Sequence, residues 1–247
     1  MDNKVRIQKI IAESGYCSRR KAEFFIESGA VKVNGRPVSL GDKANSKNDI
    51  ITVNGEKITG QVLRYLKMYK PRGYITTMSD RHGKKLINDL MGDIKERVYP
   101  VGRLDKSSEG LILLTNDGNF ANEIAHPRHE TEKVYRITIP SPVSEEKIAL
   151  MSAGIEIGQG ETTKPCVINE LVIGNRDNPR TVLELTITEG KNRQIRRMCE
   201  AVGLTVSRLK RTSVGGVKLG MLRPGEYADL TKEELKILKA GKALSNI

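Results

Sequence analysis

Hydrophobic and polar positions along this chain change period several times, and each change marks an element. Ile7, Ile10 and Ile11 stand at helical spacing, and that stripe ends at Ser14-Gly15. Ser18 is placed to cap a second helix in which Ala22, Phe25 and Ile26 repeat the spacing, and Gly29 is its stop. Val31 and Val33 then alternate before Asn34-Gly35, and Ile51 and Val53 before Asn54-Gly55, so a tight hairpin turn is predicted twice.

Beyond Gly60-Gln61 the pattern turns β-rich with interspersed helices. Strands are predicted over 64–70, 73–77, 110–115, 133–139 and 181–188, between Gly, Pro and Asn punctuation. Helices are predicted over 119–125, 144–153, 192–202 and 232–240; Thr231 and Glu234 stand at capping-box spacing before the last. Strands and helices alternate too irregularly for repeated βαβ units. The expected class is therefore α+β: a small N-terminal domain over 1–60, then a larger one over 61–247 around a mixed, mostly antiparallel sheet.

Charge adds a partner to this picture. The 247 residues carry 42 Lys and Arg against 30 Asp and Glu, a formal charge of +12, and the first sixty residues hold eleven basic against seven acidic side chains. A surplus of that size favours a polyanion, because binding a phosphate backbone releases its counterions. Aromatic residues make up only 4% and Trp is absent, which argues against a ladder of base-stacking platforms. Arg19, Arg20 and Lys21 open the second helix, where the helix dipole adds to their charge.

Cys17, Cys166 and Cys199 are odd in number and far apart, and His82, His126 and His129 complete no ligand set, so a reduced, cytoplasmic protein without metal is expected. No apolar run approaches the length needed to span a bilayer, and the N-terminus lacks a signal peptide's apolar core.

Three segments of the larger domain carry unusual residues. Lys70-Pro71-Arg72-Gly73-Tyr74 is a basic turn. Gly102-Arg103-Leu104-Asp105 places an acid shortly before the aliphatic run Leu111-Ile112-Leu113-Leu114. Glu189 to Cys199 runs from a turn into a helix whose apolar face is Ile195, Met198, Cys199 and Val202, leaving Arg193, Arg196 and Arg197 to divide between its rim and solvent. A guanidinium beside Asp105 would keep that acid ionised in a desolvated pocket, and Arg196 is the candidate; a purely structural ion pair explains the same residues.

Residues 3–59 resemble the small RNA-binding domain first described in ribosomal protein S-four, through Arg6 to Ala12, Ser18 to Glu23 and Ile26 to Gly35. Gly102-Arg103-Leu104-Asp105, Glu109-Gly110-Leu111, Leu114 to Gly118, Lys133-Val134-Tyr135, Glu189 to Met198, Leu209 to Thr212 and Pro224 to Tyr227 together resemble the RsuA/RluB/RluF family of bacterial rRNA pseudouridine synthases. Ser108, where that family more often has Thr, and Ala228, where Arg is frequent, depart from its pattern.

The resemblance implies isomerisation of a uridine in ribosomal RNA to pseudouridine, without cofactor or metal. Asp105 matches the family's nucleophile, Tyr135 the tyrosine that packs on the target base, and Arg196 the arginine paired with the acid. A base must leave its stack to be reached, which is the use of an aromatic surface in a closed pocket. Lys70, Arg103, Lys191, Arg193 and Arg197 are expected at the RNA, beside Arg19, Arg20 and Lys21. The tail from Leu209 to Leu230 leans toward the RluB-like branch and hence 23S rRNA, with 16S rRNA as the alternative; ribosomal assembly intermediates are further candidate partners, and a monomer is expected.

Two other classes compete. A non-catalytic RNA-binding assembly factor would use both basic modules but gains nothing from a desolvated acid beside Tyr135 and Arg196. A two-carboxylate hydrolase would pair Asp105 with Glu109 or Asp117, whose spacing alone fixes no such geometry.

Overall fold

The computed structural model describes residues 4–78, 83–173, 177 and 179–240; His82 lies outside them. The chain divides into two compact units. The first comprises Met1–Arg64, Ile94–Val98 and Asn116–Gly118, and the second Tyr65–Asp93, Tyr99–Thr115 and Asn119–Ile247.

In the first unit, β1 (Val5–Arg6) leads into α1 (Ile7–Glu13) and α2 (Arg19–Glu27), followed by β2 (Val31–Val33), β3 (Arg36–Pro37), β4 (Lys43–Ala44), β5 (Ile51–Val53) and β6 (Glu56–Lys57). The Ser18 hydroxyl accepts from the Lys21 amide at 3.2 Å, the expected cap. Both Asn-Gly turns form with positive φ at each residue, 50° and 79° at Asn34-Gly35 and 51° and 85° at Asn54-Gly55, which is the geometry that matches strand twist. The sheet order β3-β2-β5-β6 sets Val31 opposite Val53, and these pack with Ile7, Ile10, Ile11, Ala22 and Ile26 into one core. Asn116 closes the unit: its side chain donates to the Val62 carbonyl and accepts from the Arg64 amide, both at 2.8 Å.

The second unit is built on β7 (Tyr65–Lys70), β8 (Tyr99–Val101), β9 (Glu109–Thr115), α3 (Gly118–Ala125), β10 (Lys133–Ile139), α4 (Glu145–Ala153), β11 (Val167–Val172), β12 (Thr181–Ile187), α5 (Gln194–Ala201), β13 (Arg208–Val214), β14 (Val217–Lys218), β15 (Tyr227–Asp229) and α6 (Lys232–Ala240). Seven strands run in the order β11-β12-β10-β13-β9-β7-β15, with β14 beside β13 and β8 beside β9. All named pairings are antiparallel except β9 with β13, so the sheet is mixed and mostly antiparallel as expected. The capping box of α6 forms, with Thr231 and Glu234 exchanging backbone-to-side-chain bonds at 3.0 and 3.1 Å.

One expected strand is absent. Residues 73–77 make a loop with a single bridge, Ile75 to Leu86, because their bonds are divided: the Gly73 amide and the Thr76 hydroxyl go to the Asp105 turn, while Ile75 bonds to Lys85 and Ile87. Four strands of three or more residues were missed: β8, β11, β13 and β15.

The parallel contact depends on Gly110. It lies opposite Arg211 with φ of +106°, and a Cβ there would stand 2.2 Å from the Arg211 carbonyl oxygen and 2.7 Å from its nitrogen. Only glycine permits β13 this close to β9, and β13 carries one wall of the site described next. Gly110→Ala combines a backbone clash with left-handed strain, so it is expected to cost about 3 kcal/mol; thermal unfolding should show Tm about 6–12 °C lower, and an unchanged Tm would contradict this account.

Candidate active site

Asp105 sits on the turn between β8 and β9, and that turn is tied down at every carbonyl from Leu104 to Ser108. The Thr76 hydroxyl donates to Leu104 O at 2.6 Å, and the Gly73 amide to Lys106 O at 2.7 Å. The Lys70 ammonium donates to Asp105 O at 3.0 Å, Ser108 O at 2.9 Å and Pro71 O at 3.1 Å. Arg196 Nη2 donates to Ser107 O at 3.4 Å. The Asp105 carbonyl also accepts from the Ser108 amide at 3.0 Å. A backbone held at five successive positions has little freedom to move its carboxylate.

Lys70 was expected at RNA phosphate, and the structure places it elsewhere. It is 0% exposed, and three carbonyls take its three N–H donors, leaving none for a ligand. Burial pushes its pKa down to about 8, opposed by the nearby charges of Asp105 and Glu109. Three acceptors nonetheless suit an ammonium and not a neutral amine, which would turn its lone pair on a carbonyl. The protonated form therefore fits this cradle at neutral pH.

Arg196 also departs from expectation. It is 9% exposed on α5 and does approach Asp105, but it makes no ion pair with it among the described residues. Its Nη1 donates to Val206 O at 3.0 Å, and its Nε is buried without a partner. Burial, and then the charge of Arg193, lower its pKa. The Ser108 hydroxyl is likewise buried and unpartnered. Unmet polar groups beside an acid are costly in a folded core, and a site that completes its bonds with a ligand is one way to keep them.

A cavity of about 100 Å³ joins Asp105, Ser108 and Tyr135 with Arg103, Lys191, Arg193, Gln194 and the apolar Leu104, Ile187, Ile195 and Leu209. Tyr135 comes from the middle of β10 and is 8% exposed, so its ring forms a wall and is not a surface platform. An open groove of about 430 Å³ continues past Asp105 along residues 102–106 and 190–193. Arg103 lines both, as do Lys191 and Arg193, which puts three of the expected RNA contacts at the mouth.

The loop 189–193 is set by residues the sequence did not single out. Gln194 accepts from the Lys191 amide at 3.0 Å and donates to Glu189 at 2.7 Å, while Glu189 also accepts from the Lys164 amide at 2.9 Å. Arg193 adopts φ of 49° as the chain enters α5. Arg197, expected at phosphate, is committed to the 157–161 loop through Ile157 O at 2.7 Å, Gly158 O at 2.9 Å and Glu161 at 2.6 Å. A Gln or Glu bonding across a loop carries no periodicity, so only the fold reveals it.

Glu109 lies at the start of β9 but does not face Asp105 as a second acid. The Tyr69 hydroxyl donates to it at 2.6 Å and Arg208 Nε at 2.7 Å. Burial alone would raise the Glu109 pKa, but the Arg208 and Tyr69 bonds outweigh it and hold the group below the usual carboxylate range. The Tyr69 hydroxyl is pushed up to about 12 by burial and by that carboxylate. Among the described residues no cluster of three or more His, Cys, Asp or Glu is placed to hold a metal ion.

The sequence matches the RNA pseudouridylate synthase family over residues 64–201, a segment containing Asp105, Tyr135 and Arg196. The chain belongs to that family. The S4 domain matches over residues 5–51. Relatives covering nearly the whole chain include the ribosomal large subunit pseudouridine synthase B of Bacillus subtilis, 41% identical over 95% of this chain and 96% of that protein. The dual-specificity RNA pseudouridine synthase RluF of Escherichia coli is 40% identical over 95% of this chain and 78% of its own. A crystal structure of a pseudouridylate synthase superposes with a TM-score of 0.65 at 33% identity, covering 95% of this chain and 99% of that one. As a pseudouridine synthase, this protein has its cleft where an acid, an aromatic wall and a basic rim meet.

Lys70→Met would leave three carbonyls of the Asp105 turn without a donor in the interior. The expected cost is about 2–4 kcal/mol, read as a lower Tm, with pseudouridine formation reduced at least tenfold at temperatures where the variant is still folded. Full activity in a folded Lys70→Met would show that the turn does not need this cradle.

Proposed function

We propose that this pseudouridine synthase acts on ribosomal RNA, with a uridine of 23S rRNA as its target and Asp105 as the nucleophile. The observation that carries the reading is the Asp105 carboxylate itself: it has no protein partner among the described residues and lines a cavity with Tyr135 and the unpartnered Ser108 hydroxyl. The target uridine leaves its stack and lies against Tyr135, within reach of the acid. Attack by Asp105, on the uracil ring or on the anomeric carbon, frees the base from its N1–C1′ bond. The base turns, C5 bonds to C1′, the bond that Asp105 made to the ring or the sugar breaks to restore its carboxylate, and the C5 proton is lost while N1 gains one. Atoms balance without any redox partner. Arg196 lies near enough to Asp105 for the two charges to interact.

The module over 1–60 is read as the RNA-binding part and 61–247 as the catalytic part. Arg19, Arg20 and Lys21 are exposed at the start of α2, and Arg103, Lys191 and Arg193 border the groove. The large-subunit target rests on the names of the relatives, synthase B above all. The protein is read as a cytoplasmic monomer meeting ribosomal RNA or an assembly intermediate. Among the described residues no helix is long and apolar enough to cross a membrane.

Asp105→Asn should abolish pseudouridine formation on unmodified 23S rRNA transcripts while leaving RNA affinity within a few fold; an active variant would remove Asp105 from the nucleophile's role. Assaying 16S rRNA transcripts alongside decides between the two subunits. Replacing Arg19, Arg20 and Lys21 together by Ala should weaken binding and lower the slope of log affinity against log salt by roughly 1–3. Equal slopes for the variant and the parent protein would exclude those residues from phosphate contact.

A further inference from the structure

Tyr135 also lines a second cavity, one that Asp105 does not reach and the proposed reaction does not use. Its volume is about 130 Å³, and its polar lining includes Lys133, Arg211, Arg103 and Glu189. A β-bulge builds it. Val134 pairs with Ser213 but Tyr135 pairs with Arg211, so Thr212 is an extra residue on β13. Bulges of this kind turn a side chain that simple alternation would send to the other face. Here Arg211 and Val214, three apart, both line the same cavity as Lys133 and Tyr135.

Two cations therefore meet in a small space, neither of them in an ion pair among the described residues. Arg211 is 4% exposed; its Nε donates to Leu111 O at 2.7 Å and its Nη1 reaches the Tyr135 hydroxyl at 3.4 Å, while Nη2 has no partner among the described residues. Lys133 Nζ donates to Thr131 O at 2.9 Å and has two donors left. Neither has a carboxylate partner among the described residues; Glu189, on the same lining, accepts at Oε1 from Gln194 and from the Lys164 amide. Burial, and then the charge of Arg211, lower the Lys133 pKa to about 8. Two adjacent, partly desolvated cations repel each other, and an anion between them removes that repulsion and satisfies the open donors.

We propose that Lys133 and Arg211 form an anion site that holds one phosphodiester group of the bound RNA, in the cavity that Tyr135 lines and Asp105 does not. This rests on the reading of the protein as an RNA-modifying enzyme. The site acts in positioning: a phosphate fixed there sets how far the strand enters the cleft, and so which nucleotide meets Asp105. Arg103 lines this cavity and both spaces around Asp105, which makes it the link along which the strand passes.

The test uses the full chain and two probes. In the first, inorganic phosphate is titrated into protein labelled at its lysines, and the Lys133 side-chain resonance, assigned by its loss in Lys133→Gln, is followed by NMR. In the second, affinity for an unmodified 23S rRNA transcript is measured over a salt series. The site predicts a saturable shift of the Lys133 signal, about fivefold weaker RNA binding in Lys133→Gln, and a salt slope lower by about one phosphate contact. Lys133→Arg should recover most of the affinity and the slope, which a packing role for the lysine stem would not require. An unmoved resonance overturns the anion site. A shift with phosphate but an unaltered salt slope overturns the RNA contact and leaves binding of the free ion only. Both readouts are independent of catalysis, so a protein that passes them yet makes no pseudouridine refutes the proposed function and not this site.

Discussion

The Lys70 ammonium, fully removed from solvent, donates to carbonyls on both sides of the turn that carries Asp105, and the geometry of the site follows from that cradle. A loop with five bonded carbonyls in succession behaves like a piece of regular structure without repeating φ and ψ. Its side chains can then be spent on chemistry. Preorganisation of this kind matters for an acid that must attack, because a nucleophile displaced by 1 Å loses much of its rate. The cost is a charge in the interior, which the three acceptors and the nearby Asp105 and Glu109 offset.

The same turn sits where two strands approach unusually closely. Gly110 lets β13 run parallel to β9, and the bulge at Thr212 then aims Arg211 into the second cavity that Tyr135 lines. Missing side-chain volume in one strand and an extra residue in its neighbour thus place an acid and a buried guanidinium near the aromatic ring that lines both cavities. Two buried polar groups without a protein partner, the Ser108 hydroxyl and Arg196 Nε, belong to the Asp105 turn and to the side chain that donates to it.

Elements with a clear period were legible. Both helices of the first unit, both Asn-Gly hairpins and strand β10 follow from spacing and turn chemistry, because local sterics and one buried face suffice to specify them. The misread segments have a common cause. Residues 73–77 are rich in strand-forming types, yet their hydrogen bonds are split between the Asp105 turn and residues 85–87. Strand β13, Arg208–Val214, lacks the apolar alternation that marks a strand because one inward position is held by Arg211 and the bulge breaks its period. Strand β11 lies at a sheet edge with most of its residues exposed, so it lacks the apolar face that would announce it.

Residue types and their spacing by themselves determined the two-part organisation, the basic character of the chain, its resemblance to pseudouridine synthases and the candidacy of Asp105, Tyr135 and Arg196, since all of these are written in local patterns. The tertiary structure decided what each charge is for. Lys70, Arg196 and Arg197 look alike in sequence as basic residues near a motif, but the first cradles a turn, the second bonds to the carbonyls of Val206 and Ser107 and the third clamps a loop. Lys133 and Arg211, 78 positions apart, become neighbours only when β10 and β13 pair. A cation's role is set by how deeply it is buried and by which acceptors surround it, and both depend on contacts between residues far apart in the chain.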